Sequence, residues 1–115
     1  MTNLQRQILN RNVMRDLIGD DVALAKKFEI EFLKQAKTSV SKIAFSYNTQ
    51  NFSAIKAEAH FLKTSAKAVG AEKMAELLET LEHIALNKNI AECKQQIVSV
   101  NTALKQVYGV IVNES

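Results

Sequence analysis

No proline occurs anywhere in the 115 residues. A proline inside a helix removes a backbone hydrogen bond and clashes with the preceding turn, so a chain without one is free to run long, unbroken helices. Glycine is almost as scarce, at three positions, whereas a sandwich or barrel of this size needs many Gly, Pro and Asn turns. The expected fold class is therefore all-α. The length falls under the roughly 150 residues that serve as a prior for one domain, so a single domain over 1–115 is expected. With 47% apolar and 23% charged residues, the chain has enough apolar surface to fill a core and does not read as disordered.

Caps and apolar periodicity divide the chain into five helices. The first is predicted from about Asn3 to Ile18, with Thr2 and Gln5 as a capping box and Gly19 as its stop. Asp20 or Asp21 caps a longer second helix that carries Leu24, Phe28, Phe32, Ala36, Val40, Ile43 and Tyr47 inward at three- and four-residue steps. After the turn Asn48-Thr49-Gln50, Asn51 caps a third helix to about Ala68, with Ile55, Ala59, Leu62, Ala66 and Val69 on one seam. Gly70 suits a left-handed stop. A fourth helix reopens at Ala71-Glu72 with Met74, Leu77, Leu78, Leu81 and Ala85 inward. After Asn87-Lys88-Asn89, an Asn89-x-x-Glu92 capping pattern starts a fifth, whose seam is Ile90, Cys93, Ile97, Val100, Leu104, Val107 and Ile111. Short connections make neighbours antiparallel. The expected architecture is an up-and-down four-helix bundle of the four later helices, with the short N-terminal helix laid across one end or side.

Several function classes find no support. The net charge of +3 is too mild to mark a nucleic-acid footprint by itself. The single cysteine, Cys93, forms neither an intrachain disulfide nor a thiolate cage; on its seam it reads as a small buried hydrophobe in a reducing compartment. No apolar run approaches the roughly 18 residues that span a bilayer. No apolar signal-peptide core follows Met1-Thr2-Asn3-Leu4-Gln5-Arg6, so a cytoplasmic protein without membrane attachment is expected. There is no phosphate-cradling glycine loop, hence no support for ATP or dinucleotide chemistry. His83 lies opposite the apolar face of its helix among Glu72, Glu76 and Glu79; it reads as a solvated residue, because a metal site needs a second His or Cys at ligand spacing.

His60 is different. The centre of the third helix's seam lies about 140° from it, which puts its side chain on the exposed side. Lys56, Lys63, Thr64 and Lys67 stand at i−4, i+3, i+4 and i+7, the offsets that share a face. Glu58 points away, so the stripe is expected to hold no carboxylate, and three ammonium groups disfavour protonation of the ring. Such a stripe suits a visiting anion: histidine forms covalent intermediates, and lysines stabilise the spread charge of a transferring phosphoryl group. A solvated lysine face with a bystander histidine fits the same spacing.

The stretch Ala59-His60-Phe61-Leu62-Lys63-Thr64-Ser65-Ala66, followed by Val69-Gly70-Ala71 and then Met74, Leu77, Leu78 and Leu81-Glu82, resembles the histidine-containing phosphotransfer (HPt) domain. The family pattern is A-H-x-L-K-G-[SA]-[SA], a short spacer, G-A and an apolar helix ending in L-E. The order of elements matches along the whole chain, including the entry Leu17 to Asp21. The resemblance implies a phosphorelay intermediate rather than an enzyme with its own kinase activity. His60 would accept a phosphoryl group on Nε2 from a receiver-domain phospho-aspartate and pass it to another receiver. Lys63 would neutralise the phosphoryl oxygens, and Phe61 would belong to an apolar docking surface. Glu82 stands where family members carry a Gln or Glu that bonds the histidine ring; the helical wheel places it about 80° from the seam, which suits a boundary position as well as a contact with the third helix.

The implied partners are the receiver domains of a hybrid sensor histidine kinase and of a response regulator. No cofactor of its own is implied, since Mg²⁺ belongs to the receiver, and the carrier is expected to be a monomer that binds no nucleic acid. Thr64 departs from the pattern. It stands where the family has glycine, so its branched side chain either narrows the partner's access or donates its hydroxyl to a phosphoryl oxygen. Two other readings compete: a helical adaptor that docks a receiver without accepting phosphate, and a small basic nucleic-acid-binding bundle.

Overall fold

The helices begin where the sequence supplies an acceptor for their first free N–H groups. In the computed structural model, which describes residues 7–113, α1 spans Arg11–Ile18, α2 Val22–Asn48, α3 Phe52–Val69, α4 Glu72–Leu86 and α5 Ile90–Asn113. Asp21 accepts from the Leu24 amide at 3.0 Å, Asn51 from that of Ala54 at 3.1 Å and Asn89 from that of Glu92 at 3.0 Å, which settles the choice between Asp20 and Asp21. Gly70 ends α3 in the left-handed conformation, φ 88° and ψ 17°.

The first helix starts later than predicted. Asn10 is its N-cap, accepting from the Asn12 amide, and residues 7–10 are not helical; the Thr2/Gln5 capping box lies outside the described residues. The backbone of 7–10 is engaged elsewhere. The Asn10 amide donates to the Gly70 carbonyl at 2.7 Å and the Lys73 amide donates to the Gln7 carbonyl at 2.9 Å. The Asn10 side chain adds a 2.9 Å bond to Glu72. Ala71 at the start of α4 has no capping side chain, so the Gln7 carbonyl takes one of the donors a cap would satisfy.

Helices α2 to α5 close into a ring in which α2 packs on α3 and α5, and α4 on α3 and α5; α1 lies against α2 and α3. All five predicted seam residues of α3 are buried, and Met74, Leu78, Leu81 and Ala85 meet them from α4. Alanines at 36, 59, 66, 85 and 103 are also buried, and these small side chains let the helices approach closely.

Two seams differ from expectation. On α2 the buried positions are Glu29, Phe32, Ala36, Ser39, Ile43 and Ser46, while Phe28 is 44% exposed and Leu24, Val40 and Tyr47 are half-buried. Glu29, only 3% exposed, meets the Arg11 guanidinium at 3.1 Å. Across α1, that partner compensates a carboxylate whose burial alone would be costly. The two serines face inward because a small side chain fits where two backbones come together, leaving Val40 and Tyr47 to pack sideways. On α5, Ala103 takes the central position, Leu104 flanks it and Ile90 is exposed. A strict seven-residue repeat drifts around a straight helix of 3.6 residues per turn.

No described helix is long and apolar enough to cross a membrane.

Candidate functional site

His60 lies in the middle of α3, which is fixed by its buried seam and by the two-residue corner Gly70-Ala71 that folds α4 back along it. Its side chain is 65% exposed. What faces it is the residue the family pattern points to, which the helical wheel leaves between a boundary position and a contact with the third helix. Glu82, from α4, lies with Oε1 3.2 Å from His60 Nδ1 and Oε2 2.8 Å from the Lys63 ammonium. The Lys63 contact is an ion pair without hydrogen-bond alignment, since Oε2 has no directed donor. Side-chain exposure falls from 65% at His60 to 15% at Lys63 and 11% at Glu82, so the carboxylate lies below the rim and the ring above it.

The expected carboxylate-free lysine stripe is thus corrected. Glu58 does turn toward α2, where it lines a groove with Lys42 and Phe45. The offsets along α3 say nothing of α4, however, which supplies Glu82 directly and sets Glu72, Glu76 and Glu79 along the groove that Lys67 lines. The field at the imidazole combines an ammonium and a carboxylate.

Burial acts to raise the pKa of Glu82, but the Lys63 ammonium and the His60 ring outweigh it and hold the carboxyl below its ordinary value of 4.5. An ionised carboxylate only accepts, so Nδ1 is the donor of the His60–Glu82 bond, and in the neutral ring Nε2 carries the exposed lone pair. The lower folded pKa has a consequence for stability. The contribution of Glu82 is complete above its unfolded value and is lost as the pH falls through the folded one. Denaturant midpoints measured in steps downward from 4.5 are therefore expected to fall more steeply for the wild type than for Glu82→Gln.

The other residues singled out in the sequence surround this cluster without entering it. Lys56 is half-buried one turn before His60, and Lys67 is exposed two turns after it. Phe61 is 54% exposed. The Thr64 hydroxyl donates to the His60 carbonyl at 3.2 Å, so the side chain that replaces glycine is tied back to its own helix. Gly70 is ten residues from His60, about 15 Å along the helix axis, and shapes the corner rather than the site. The sequence missed Gln35 on α2, whose amide donates to Ser65 at 2.9 Å and fastens α2 beside the His60 helix; no periodicity along a single helix signals such a cross-helix pair. His83 is exposed and Cys93 buried, as read. Among the described residues no three His, Cys, Asp or Glu side chains converge to hold a metal ion.

An exposed histidine whose far nitrogen is left free, with a lysine and a buried carboxylate behind it, is chemically able to act as a nucleophile toward a visiting anion. Comparison with protein families agrees: the Hpt domain matches residues 30–109. The chain belongs to the Hpt domain family. As an Hpt domain it has a phosphotransfer role in two-component signalling. Members of this family are phosphocarrier modules rather than kinases, and they interact with receiver domains in phosphorelays.

Among solved structures, a rice chain described as a histidine-containing phosphotransfer protein superposes with a TM-score of 0.82 at 18% identity, covering 90% of this chain and 78% of that one. That likeness supports the Hpt fold. No curated protein matches the chain.

Proposed function

We propose that His60 is the phosphoryl acceptor and that the protein passes the group between receiver domains, from that of a hybrid sensor histidine kinase to that of a response regulator. The observation that supports this reading is the 3.2 Å contact between His60 Nδ1 and Glu82, because an ionised carboxylate favours the tautomer with its proton on Nδ1 and its lone pair on Nε2. The Nε2 lone pair attacks the phosphorus of an aspartyl phosphate, the O–P bond of that aspartate breaks and its carboxylate leaves. A new N–P bond forms while the Nδ1 proton stays on the ring. The reverse displacement by a second receiver's aspartate completes the relay.

Transfer of this kind is mostly positioning and charge stabilisation. Lys63 is the nearest cation to the incoming phosphoryl group; Lys56 and Lys67 add longer-range attraction. Phe61 gives the receiver an apolar contact beside the histidine. With its hydroxyl bonded to the His60 carbonyl, Thr64 presents mainly its methyl group to that partner. The Mg²⁺ and the catalytic carboxylates are the receiver's. This carrier works as a monomer in the cytoplasm and needs no cofactor of its own.

The test is transfer from a receiver domain carrying a radiolabelled aspartyl phosphate. Label arriving on the chain in an acid-labile, alkali-stable form supports the reading. Stable docking with no label favours the adaptor. Lys63→Ala is expected to slow transfer by about tenfold, the equivalent of ~1.4 kcal/mol of lost transition-state stabilisation, with helical content retained on circular dichroism. Unchanged kinetics would remove Lys63 from the mechanism.

A further inference from the structure

We propose that Glu82 sets the lifetime and transfer potential of the phosphohistidine, making it short-lived and quick to pass on, by holding the Nδ1 proton and competing with the phosphoryl group for Lys63. The inference rests on the phosphorelay reading of His60 and adds to it a control on how long the group stays.

Three features of the cluster act in one direction. First, a phosphoryl group on Nε2 departs from a neutral imidazole when Nδ1 keeps its proton and from an imidazolate when it does not, and the neutral ring is much the better leaving group. The Glu82 carboxylate, 3.2 Å from Nδ1, holds that proton in place. Second, Lys63 is engaged 2.8 Å from Glu82 Oε2. Its ammonium reaches the phosphoryl oxygens only by loosening this pair, so part of its attraction is spent on Glu82 whenever phosphate is present. Third, the phosphoryl group and the carboxylate are like charges on two sides of one ring, and with side-chain exposure of only 11% at Glu82 water screens that repulsion less than at the surface. An amide at this position would keep the shape and a hydrogen-bond acceptor while removing the charge behind all three.

The charged groups around the ring are few. On α3 they are Lys56 and Lys63; on α4 they are Glu82, with Glu79 one turn before it and His83 beside it on the outer face. On the other side of α3, α2 contributes the Gln35–Ser65 hydrogen bond, and its Lys34 is paired with Glu31. Glu82 is the carboxylate within hydrogen-bond distance of the ring among the described residues. It is a positioning residue, acting through His60 and Lys63.

The experiment loads the full chain with potassium phosphoramidate, in which Nε2 displaces ammonia from phosphorus, and with a phosphorylated receiver in parallel. Phosphohistidine decay is then followed by ³¹P NMR from pH 6 to 9. Glu82→Gln is expected to lengthen the half-life by about three- to tenfold at neutral pH, the effect of one lost charged contact. It should also slow onward transfer to a receiver and move the pH midpoint of decay downward, as Nδ1 gives up its proton more readily. In a Lys63→Met background the same substitution should lengthen the half-life less, because the competition for Lys63 is gone.

A merely structural role predicts the opposite sign, since a loosened ring accepts phosphate slowly without holding it longer. A wild-type chain labelled at His60, with Glu82→Gln matching or shortening its half-life and leaving the pH profile unmoved, overturns this inference alone. A wild-type chain that takes phosphate from neither donor overturns the phosphorelay reading as well.

Discussion

His60→Gln is expected to reduce phosphoryl acceptance from a labelled receiver to background while leaving the fold intact. Chemistry and packing separate cleanly at this position. The ring is 65% exposed and lies outside the buried seam of α3, and surface substitutions away from special features usually stay within about 0.5 kcal/mol. One internal bond is lost, that from Nδ1 to Glu82, but the carboxylate keeps its Lys63 partner at 2.8 Å. The variant is therefore not left with an uncompensated buried charge, the usual source of large losses at such positions. Glutamine offers no nucleophilic nitrogen, so no N–P bond forms. The measurement pairs a transfer time course with a thermal melt on the same preparation. Label retained by a folded His60→Gln chain would place the acceptor elsewhere, and the remaining histidine, exposed His83, is the first alternative to map.

That separation is visible in the sequence because an isolated helix writes its own faces into its periodicity. The α3 seam of Ile55, Ala59, Leu62, Ala66 and Val69 is buried throughout, and the position of His60 away from it follows from the 3.6-residue turn alone. Caps at Asp21, Asn51 and Asn89 are equally local, each bond spanning three residues. What spacing alone leaves open depends on a second element, and for Glu82 only the family pattern points to the contact. The reach of Glu82 to His60 crosses from α4 to α3, 22 residues away. Arg11 and Glu29, 18 apart, bring a charge into the core where the apolar pattern had favoured Phe28. The registers of packed helices are set by the fit of whole surfaces, and hydrophobic spacing along one helix shows which side packs without showing what lies opposite. The same reason explains α1. A pattern that also suited helix at 7–10 gave way to an extended segment because the corner of α3 and α4 supplies backbone partners that only a non-helical chain can use.

That corner carries the other large expected effect. Gly70→Ala is expected to destabilise the protein by about 1–3 kcal/mol, the cost of holding a residue with a side chain in a sparsely populated backbone conformation, before any contact is counted. Gly70 has φ +88°, a region that L-residues enter only at a penalty. A Cβ built there would lie 2.1 Å from the Asn10 carbonyl oxygen and 3.0 Å from its carbon. Those are backbone atoms, with no flexible side chain to swing aside. The segment is held in that place by the 2.7 Å bond from the Asn10 amide to the Gly70 carbonyl, so relieving the clash means pulling residues 7–10 off the corner.

The variant must then lose the Asn10–Gly70 bond and, with the same displacement, the Gln7 carbonyl that caps Lys73. For a domain between the small and mid-size classes each kcal/mol lowers the melting temperature by roughly 3–6 °C, so the backbone cost alone is expected to lower it by about 3–18 °C. Hydrogen exchange distinguishes the two components: if the segment is displaced, the amides of Asn10 and Lys73 lose protection while those of the α3 seam keep theirs relative to global unfolding. An unchanged melting temperature with both amides still protected would mean that the corner accommodates a methyl group by a shift this geometry does not provide. Because α4 starts at that corner and carries Glu82 ten residues, almost three turns, further along, the displaced variant should also weaken the Glu82 contact with His60, read as a change in the ¹⁵N shift of Nδ1.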